Sequence, residues 1–227
     1  MTEQIVSNSF VISYLVLRKA VGYLGIALPF VLAFGKILLE GGGIQKSIST
    51  YYYTGMRDVL VGTLCAIAVF LMSYTGYERK DDLLGDLAGI FAIGVALFPT
   101  TPANPLPGDK VIGALHLLFA ASFFLTLACI SLCLFTKTNP KRAPTRRKLQ
   151  RNTVYRVCGY TILACLALIA AVALAPGGNA IQQLDPRFWL ESIAVVAFGV
   201  SWLTKGEALL KDEPTNSSLH ATASGGA

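Results

Sequence analysis

The chain has 227 residues, of which 54% are hydrophobic and 14% charged, with a mean hydropathy of +0.58. Soluble domains carry about 25% charged residues; here the apolar residues gather into blocks near the ~20 residues that cross ~30 Å of hydrocarbon. The net charge of +6 lies between those blocks, which argues against nucleic acid as its partner and for an all-α integral membrane bundle.

Residues 1–14 lack the basic n-region and cleavage site of a signal peptide. The first span is expected over residues 20–39, with Pro29 as a kink and Lys36 reaching the interface. The loop over 40–58 reads EGGGIQKSISTYYYTGMRD. Its glycines permit a sharp turn, and tyrosines suit the head-group level, ring inward and hydroxyl outward.

Further spans are expected over 59–77, 87–99, 111–136, 157–175 and 188–204, the third prolonged by the uncharged residues 100–102. The third and sixth carry the weakest signal, being short or interrupted by Glu191. Pro99 ends the third span and leaves a carbonyl in need of a partner, while Gly85, Gly89 and Gly94 suit close helix approach. A similarity between residues 25–34 and 89–98 is too faint to establish a repeat. Residues 1–19 form an N-terminal segment, 20–204 the six-helix domain, and 205–227 a tail too polar and aperiodic to pack; His220 in that tail carries no functional weight.

Lys and Arg number 14 on one side of this arrangement and 5 on the other, which puts the richer side, with both termini, in the cytoplasm. Trp189 and Trp202, ~20 Å apart along a helix, suit two interfacial belts. The basic run from Lys137 to Arg156 reads either as a topology signal or as a patch for anionic head groups. A bacterial-type inner membrane is the expected location.

Candidate chemistry collects on the outer side. His116 lies about 8 Å inside the fourth span and Glu191 just inside the sixth. With Asp58 they form a shallow ionisable layer below Ser47 and Ser49, an outward-facing polar pocket in this reading. Ser47 or Ser49 with His116 and Asp58 supplies the minimal parts for nucleophilic acyl transfer, although no G-x-S-x-G elbow is present. Tyr51, Tyr52, Tyr53, Arg57, Thr100 or Thr101, and Glu191 are the candidate lipid contacts, Arg57 for a phosphate. Plainer roles stay open: Asp58 as a helix-end charge, Arg57 as an interface anchor, Glu191 reaching water, His116 as a helix-to-helix bond. The spans hold too little polar chemistry at mid-depth for a channel or transporter.

No metal site and no cofactor are expected, since the membrane domain has one His and its five cysteines (Cys65, Cys129, Cys133, Cys158 and Cys165) are scattered packing residues. The expected partners are membrane lipids and other proteins within the membrane. Three function classes result: lipid binding, remodelling or homeostasis; a non-catalytic structural or accessory subunit of a membrane complex; and a metal-free serine-type lipid hydrolase or acyltransferase.

Ser47-Ile48-Ser49 with the tyrosine run and Met56-Arg57-Asp58, Gly76-Tyr77 followed by Asp81-Asp82, and Phe98-Pro99-Thr100 resemble a bacterial domain of unknown function. That domain is similar to the FRAG/DRAM/Sfk group of six-span membrane proteins. The resemblance implies six helices, cytoplasmic termini, a role in handling membrane lipids, and lipid-facing roles for Ser47, Ser49 and Arg57. A wider similarity to zinc-dependent alkaline ceramidases is broken here, because this chain offers only His116 where those enzymes use several His.

Overall fold

The computed structural model describes residues 2–74, 79–138, 143–174 and 186–211, and within them the chain is all-helical with no strand. Six helices follow one another: α1 (Thr2–Glu40), α2 (Arg57–Met72), α3 (Arg79–Leu97), α4 (Asp109–Cys129), α5 (Arg146–Leu174) and α6 (Arg187–Lys205). A short 3-10 helix, Ser49–Tyr53, sits between α1 and α2, and α4 runs on through a π-helical turn, Ile130–Leu134.

Four segments are long and apolar enough to cross a membrane: Tyr14–Glu40 of α1, Asp109–Leu134, α5 and α6. The sixth segment therefore meets the requirement despite Glu191. The shortfall lies in α2 and α3. The first is 16 residues, about 24 Å long, and the second opens with Arg79, Lys80, Asp81 and Asp82.

Boundaries also move. α1 begins well before residue 20, and α5 begins eleven residues before 157, because nothing in either basic or polar lead-in breaks a helix. α3 stops at Leu97, so Phe98 to Pro102 are not helical as expected; Pro99 and Pro102 cannot donate to a continuing helix. The expected ends of spans two and five, the Gly76-Tyr77 pair, Lys141, Arg142 and the tail beyond Lys211 lie outside the described residues.

Each helix packs on its successor, and α6 returns to α1, so the bundle closes as a ring. Glycines set two of the seams. A Cβ on Gly199 would stand 2.7 Å from the Gly22 carbonyl oxygen, and one on Gly22 would stand 2.9 Å from that of Gly199. α1 and α6 thus touch backbone to backbone, the ordinary use of small residues between membrane helices. α2 and α3 meet likewise, with Gly85 against the Leu71 carbonyl and Gly89 against that of Ala68.

The contacts fix the sense of each helix. Gly22 meets Leu203 while Leu28 and Leu32 share a cluster with Phe188, so α6 runs opposite to α1. α2 starts beside Tyr51 and ends near Tyr74, whose ring lies edge-on to Trp202. Phe188 and Trp202 are ~21 Å apart along α6, so the α2–α3 pair descends as far as its neighbours do. Two apolar clusters occupy the two depths, one around Tyr51 and Phe188 and the other around Tyr74, Phe135, Tyr155 and Trp202. We call the corresponding ends the serine end and the basic end.

Candidate functional site

The serine end is built by the α1–α2 loop. Gly41 and Gly42 adopt φ of 72° and 77°, a left-handed turn that suits residues without a Cβ and takes the chain off α1. Lys36, expected at the interface, instead folds back and donates to the Gly41 carbonyl at 3.0 Å. The 3-10 helix is then opened by a reciprocal pair of the capping-box kind. Ser47 N–H donates to Thr50 Oγ1 at 3.1 Å, and Thr50 N–H donates to Ser47 Oγ at 3.2 Å. Ser47 is thereby committed to the loop's own architecture.

Ser49 points the other way and meets His116 of α4. Its Oγ lies 2.9 Å from His116 Nε2, while His116 Nδ1 lies 2.6 Å from the carbonyl oxygen of Phe98. A carbonyl can only accept, so Nδ1 carries the hydrogen. The neutral ring then offers its Nε2 lone pair to the Ser49 hydroxyl, which donates. His116 is only 4% exposed and both its nitrogens are engaged. Phe98 precedes Pro99, and its carbonyl lies just past the last helical residue of α3, Leu97. His116 thus ties α4 to the chain just beyond the end of α3.

Glu191 enters from α6. Its Oε2 accepts the Ile48 N–H at 2.6 Å, tying the loop to the opposite side of the ring. Tyr51 is fully buried, its ring beside Phe188, and its hydroxyl accepts the Gln45 N–H at 3.3 Å. Tyr53 donates to the Thr100 carbonyl at 2.5 Å, and Glu40 accepts the Gly55 N–H. Burial raises the Tyr51 phenol, opposed by the Gln45 N–H; burial, then the charge of Asp109, raises that of Tyr53.

Several expected groupings differ in detail. Ser49 and His116 come together, but Asp58 is exposed on the first turn of α2 and is not the third member. A backbone carbonyl holds that position. Glu191 bonds to the loop backbone. Arg57 reaches neither Thr100 nor Thr101 but lies over the Tyr52 ring, 4.4 Å from its centroid, and donates to the Tyr52 hydroxyl at 2.8 Å. Thr101 packs on Gly113. The groups of the expected pocket bond to one another and to the loop backbone; a shallow depression lies along α5 beside Thr153, Arg156 and Tyr160. Sequence reasoning missed Phe98 as the group that orients His116, although Pro99 was the signal for it.

Chemically, the pair is a hydroxyl hydrogen-bonded to a fixed imidazole acceptor, the arrangement of a nucleophile with its general base. The N–H groups of Ser47, Ile48 and Thr50 are already donated, so they supply no oxyanion hole unless the loop moves. Among the described residues no group of three or more His, Cys, Asp or Glu could hold a metal. No family model, curated protein or solved structure matches this chain.

Proposed function

We propose that the chain is an integral membrane protein that crosses a bacterial-type inner membrane six times, keeps its termini in the cytoplasm and handles lipids at its serine end. Four apolar helices support membrane embedding. The alternating helix directions and the depth reached by the α2–α3 pair support two further crossings. The 14-to-5 partition of Lys and Arg supports the orientation. The resemblance to the FRAG/DRAM/Sfk group belongs to the same reading.

The observation that carries the lipid reading is the Ser49–His116 pair, set at the end of apolar helices under the aromatic groups Tyr52 and Tyr53. Imidazole, hydroxyl and phenol groups at that end lie near the depth of the ester and phosphate level of a bilayer, His116 buried and Tyr53 exposed, and polar groups within a membrane protein are functional candidates. Native mass spectrometry of chain extracted in mild detergent tests it. A retained phospholipid that is lost from the His116→Ala variant is the expected result. A reproducible protein partner with no lipid would replace this reading by that of an accessory subunit.

The same bond favours a sharper second reading, metal-free acyl transfer. Ser49 Oγ would attack a lipid ester carbonyl as its proton passes to His116 Nε2. The leaving alkoxide would then take that proton, and water or an acceptor hydroxyl would release the acyl group from Ser49. Turnover of a fluorescent phospholipid in proteoliposomes distinguishes the two. Turnover abolished by Ser49→Ala supports acyl transfer, and turnover equal in wild type, Ser49→Ala and His116→Ala ends it while leaving lipid binding intact.

A further inference from the structure

α5 carries two faces. Asn152, Tyr155, Cys158, Ile162 and Cys165 are buried against the rest of the bundle. Thr153, Arg156, Val157, Tyr160, Thr161 and Ala164 form a stripe at helical spacing on the outer side and line an open depression of about 510 Å³. Of the four long apolar segments α5 is the least buried, so in a bilayer this stripe faces lipid.

The stripe is polar where it starts. Tyr155 packs edge-on to Phe135, which lies edge-on to Trp202, so the exposed Arg156 beside it sits at the interfacial level of the basic end. Helical side chains lean toward the helix N-terminus, which for α5 is the basic end, so the guanidinium reaches toward the head groups. Tyr160, 63% exposed, stands one turn deeper and leans back the same way. The Thr153 hydroxyl is already donated to the Leu149 carbonyl at 3.2 Å, which leaves Arg156 and Tyr160 as the donors at that level. Among the described residues neither of them has a hydrogen-bond partner, and Arg156 has no ion pair.

Below Tyr160 the stripe turns apolar. It continues through Ala164, Ala167, Leu168 and Ala171, all exposed. From Tyr160 to Ala171 it runs ~16 Å, close to the ~15 Å of hydrocarbon in one leaflet. A donor pair above a smooth apolar track of one leaflet's depth has the outline of a phospholipid. A second copy of the chain fits less well. Two copies related by an axis along the membrane normal would set their α5 helices parallel, with one Arg156 beside the other at the same depth.

We propose that this stripe of α5 holds one anionic glycerophospholipid of the basic-end leaflet. Its phosphate takes the Arg156 guanidinium and the Tyr160 hydroxyl, and an acyl chain lies along Val157, Ala164 and Leu168. A guanidinium matches phosphate oxygens in a bidentate fork. A zwitterionic lipid brings its own ammonium beside the phosphate, which competes with Arg156; an anionic one does not. The site rests on the membrane embedding given above, but not on the Ser49–His116 pair, which lies at the other end.

Native mass spectrometry of the full chain, extracted in mild detergent and titrated with phosphatidylglycerol or phosphatidylcholine, tests the proposal. Phosphatidylglycerol should be retained in preference. Arg156→Gln, a change at an exposed position, should weaken that retention about tenfold, the value of one charge-assisted hydrogen bond. Tyr160→Phe should weaken it roughly threefold. Arg146→Gln removes an exposed cation ~15 Å nearer the start of the same helix and should leave retention unchanged. The lipid should also persist in His116→Ala, which separates this site from the serine end. Equal retention of the two lipids, equal losses in Arg156→Gln and Arg146→Gln, or a lipid-free dimer overturns the proposal. Chain that stays in solution without detergent overturns the membrane embedding itself, and this site with it.

Discussion

At the serine end, polar groups that leave water are matched one to one: His116 with Ser49 and Phe98, Glu191 with Ile48, Tyr53 with Thr100. At the basic end, cations lean on aromatic rings, Arg18 on Tyr14 and Tyr74, Lys148 on Tyr155 and Lys205 on Phe135, beside the ion pairs Lys137–Asp81 and Arg151–Glu207. The first arrangement is a satisfied hydrogen-bond network, which rigidifies a loop and holds a fixed tautomer. The second is a set of cation–π contacts and ion pairs, which depend on charge more than on hydrogen-bond geometry. One bundle thus has an end built on hydrogen bonds and an end built on charge, and experiments on stability should separate them.

The largest effect is expected at the basic end. Asp81→Ala removes a carboxylate that is 2% exposed and leaves Lys137 and its neighbours without that countercharge. A loss of about 3 kcal/mol is expected, read as a lower unfolding midpoint in neutral detergent and partly restored by an anionic lipid. Restoration by neutral lipid alone would show that charge is not the issue.

His116→Ala should cost less, about 2 kcal/mol, because it strands the Phe98 carbonyl and the Ser49 hydroxyl but leaves no buried charge. Ser49→Ala should cost about 1 kcal/mol, and the double variant less than the sum of the two. Additive losses would mean that the serine–histidine bond contributes nothing to stability. An anionic lipid should leave these losses unchanged; if it restored them, the two ends would not be independent.

Tyr53→Phe should have the smallest effect, below about 1 kcal/mol, since the ring is exposed and only one bond to Thr100 is lost. Its pH dependence has a definite sign. The folded protein raises this phenol above its ordinary value of 10.0, so it favours the neutral form. The stabilisation is complete below pH 10 and is lost as pH rises through the folded value. Midpoints of wild type and Tyr53→Phe should therefore converge above pH 10, and a gap that stays constant there would contradict the assignment.

Much of this was legible in the residues, for reasons that can be named. Apolar block length gave the helices, because hydrocarbon thickness sets it. Pro99 marked the end of the third helix, and His116 reads as a candidate base or helix-to-helix bond; its partner Phe98 was not apparent. The companion carboxylate was not legible. Asp58 and Glu191 stand at equally plausible depths, and only the packing of α6 against the loop sends Glu191 to Ile48 and leaves Asp58 exposed. Arg57 likewise had a ring two turns of loop away to lie on, and a local stacking contact wins over a phosphate partner that must be supplied from outside. The approach of Arg18 and Lys148 to Lys205 was not legible, because they adjoin only once α6 has come back against α1.

The backbone contact between Gly22 and Gly199 also has a meaning in time. During synthesis the first of these glycines leaves the ribosome well before the second, with about 180 residues between them. At roughly 5–20 residues per second that interval lasts roughly ten to forty seconds. Throughout it the small-residue face of α1 lies against lipid, open to any other helix with a matching stripe. The ring is sealed only when α6 arrives, and until then neither the loop bond from Glu191 nor the cation from Lys205 exists. Each end of the molecule therefore gains its contacts with α6 in the same late step of biogenesis, whereas the Ser49–His116 bond needs only the chain up to α4.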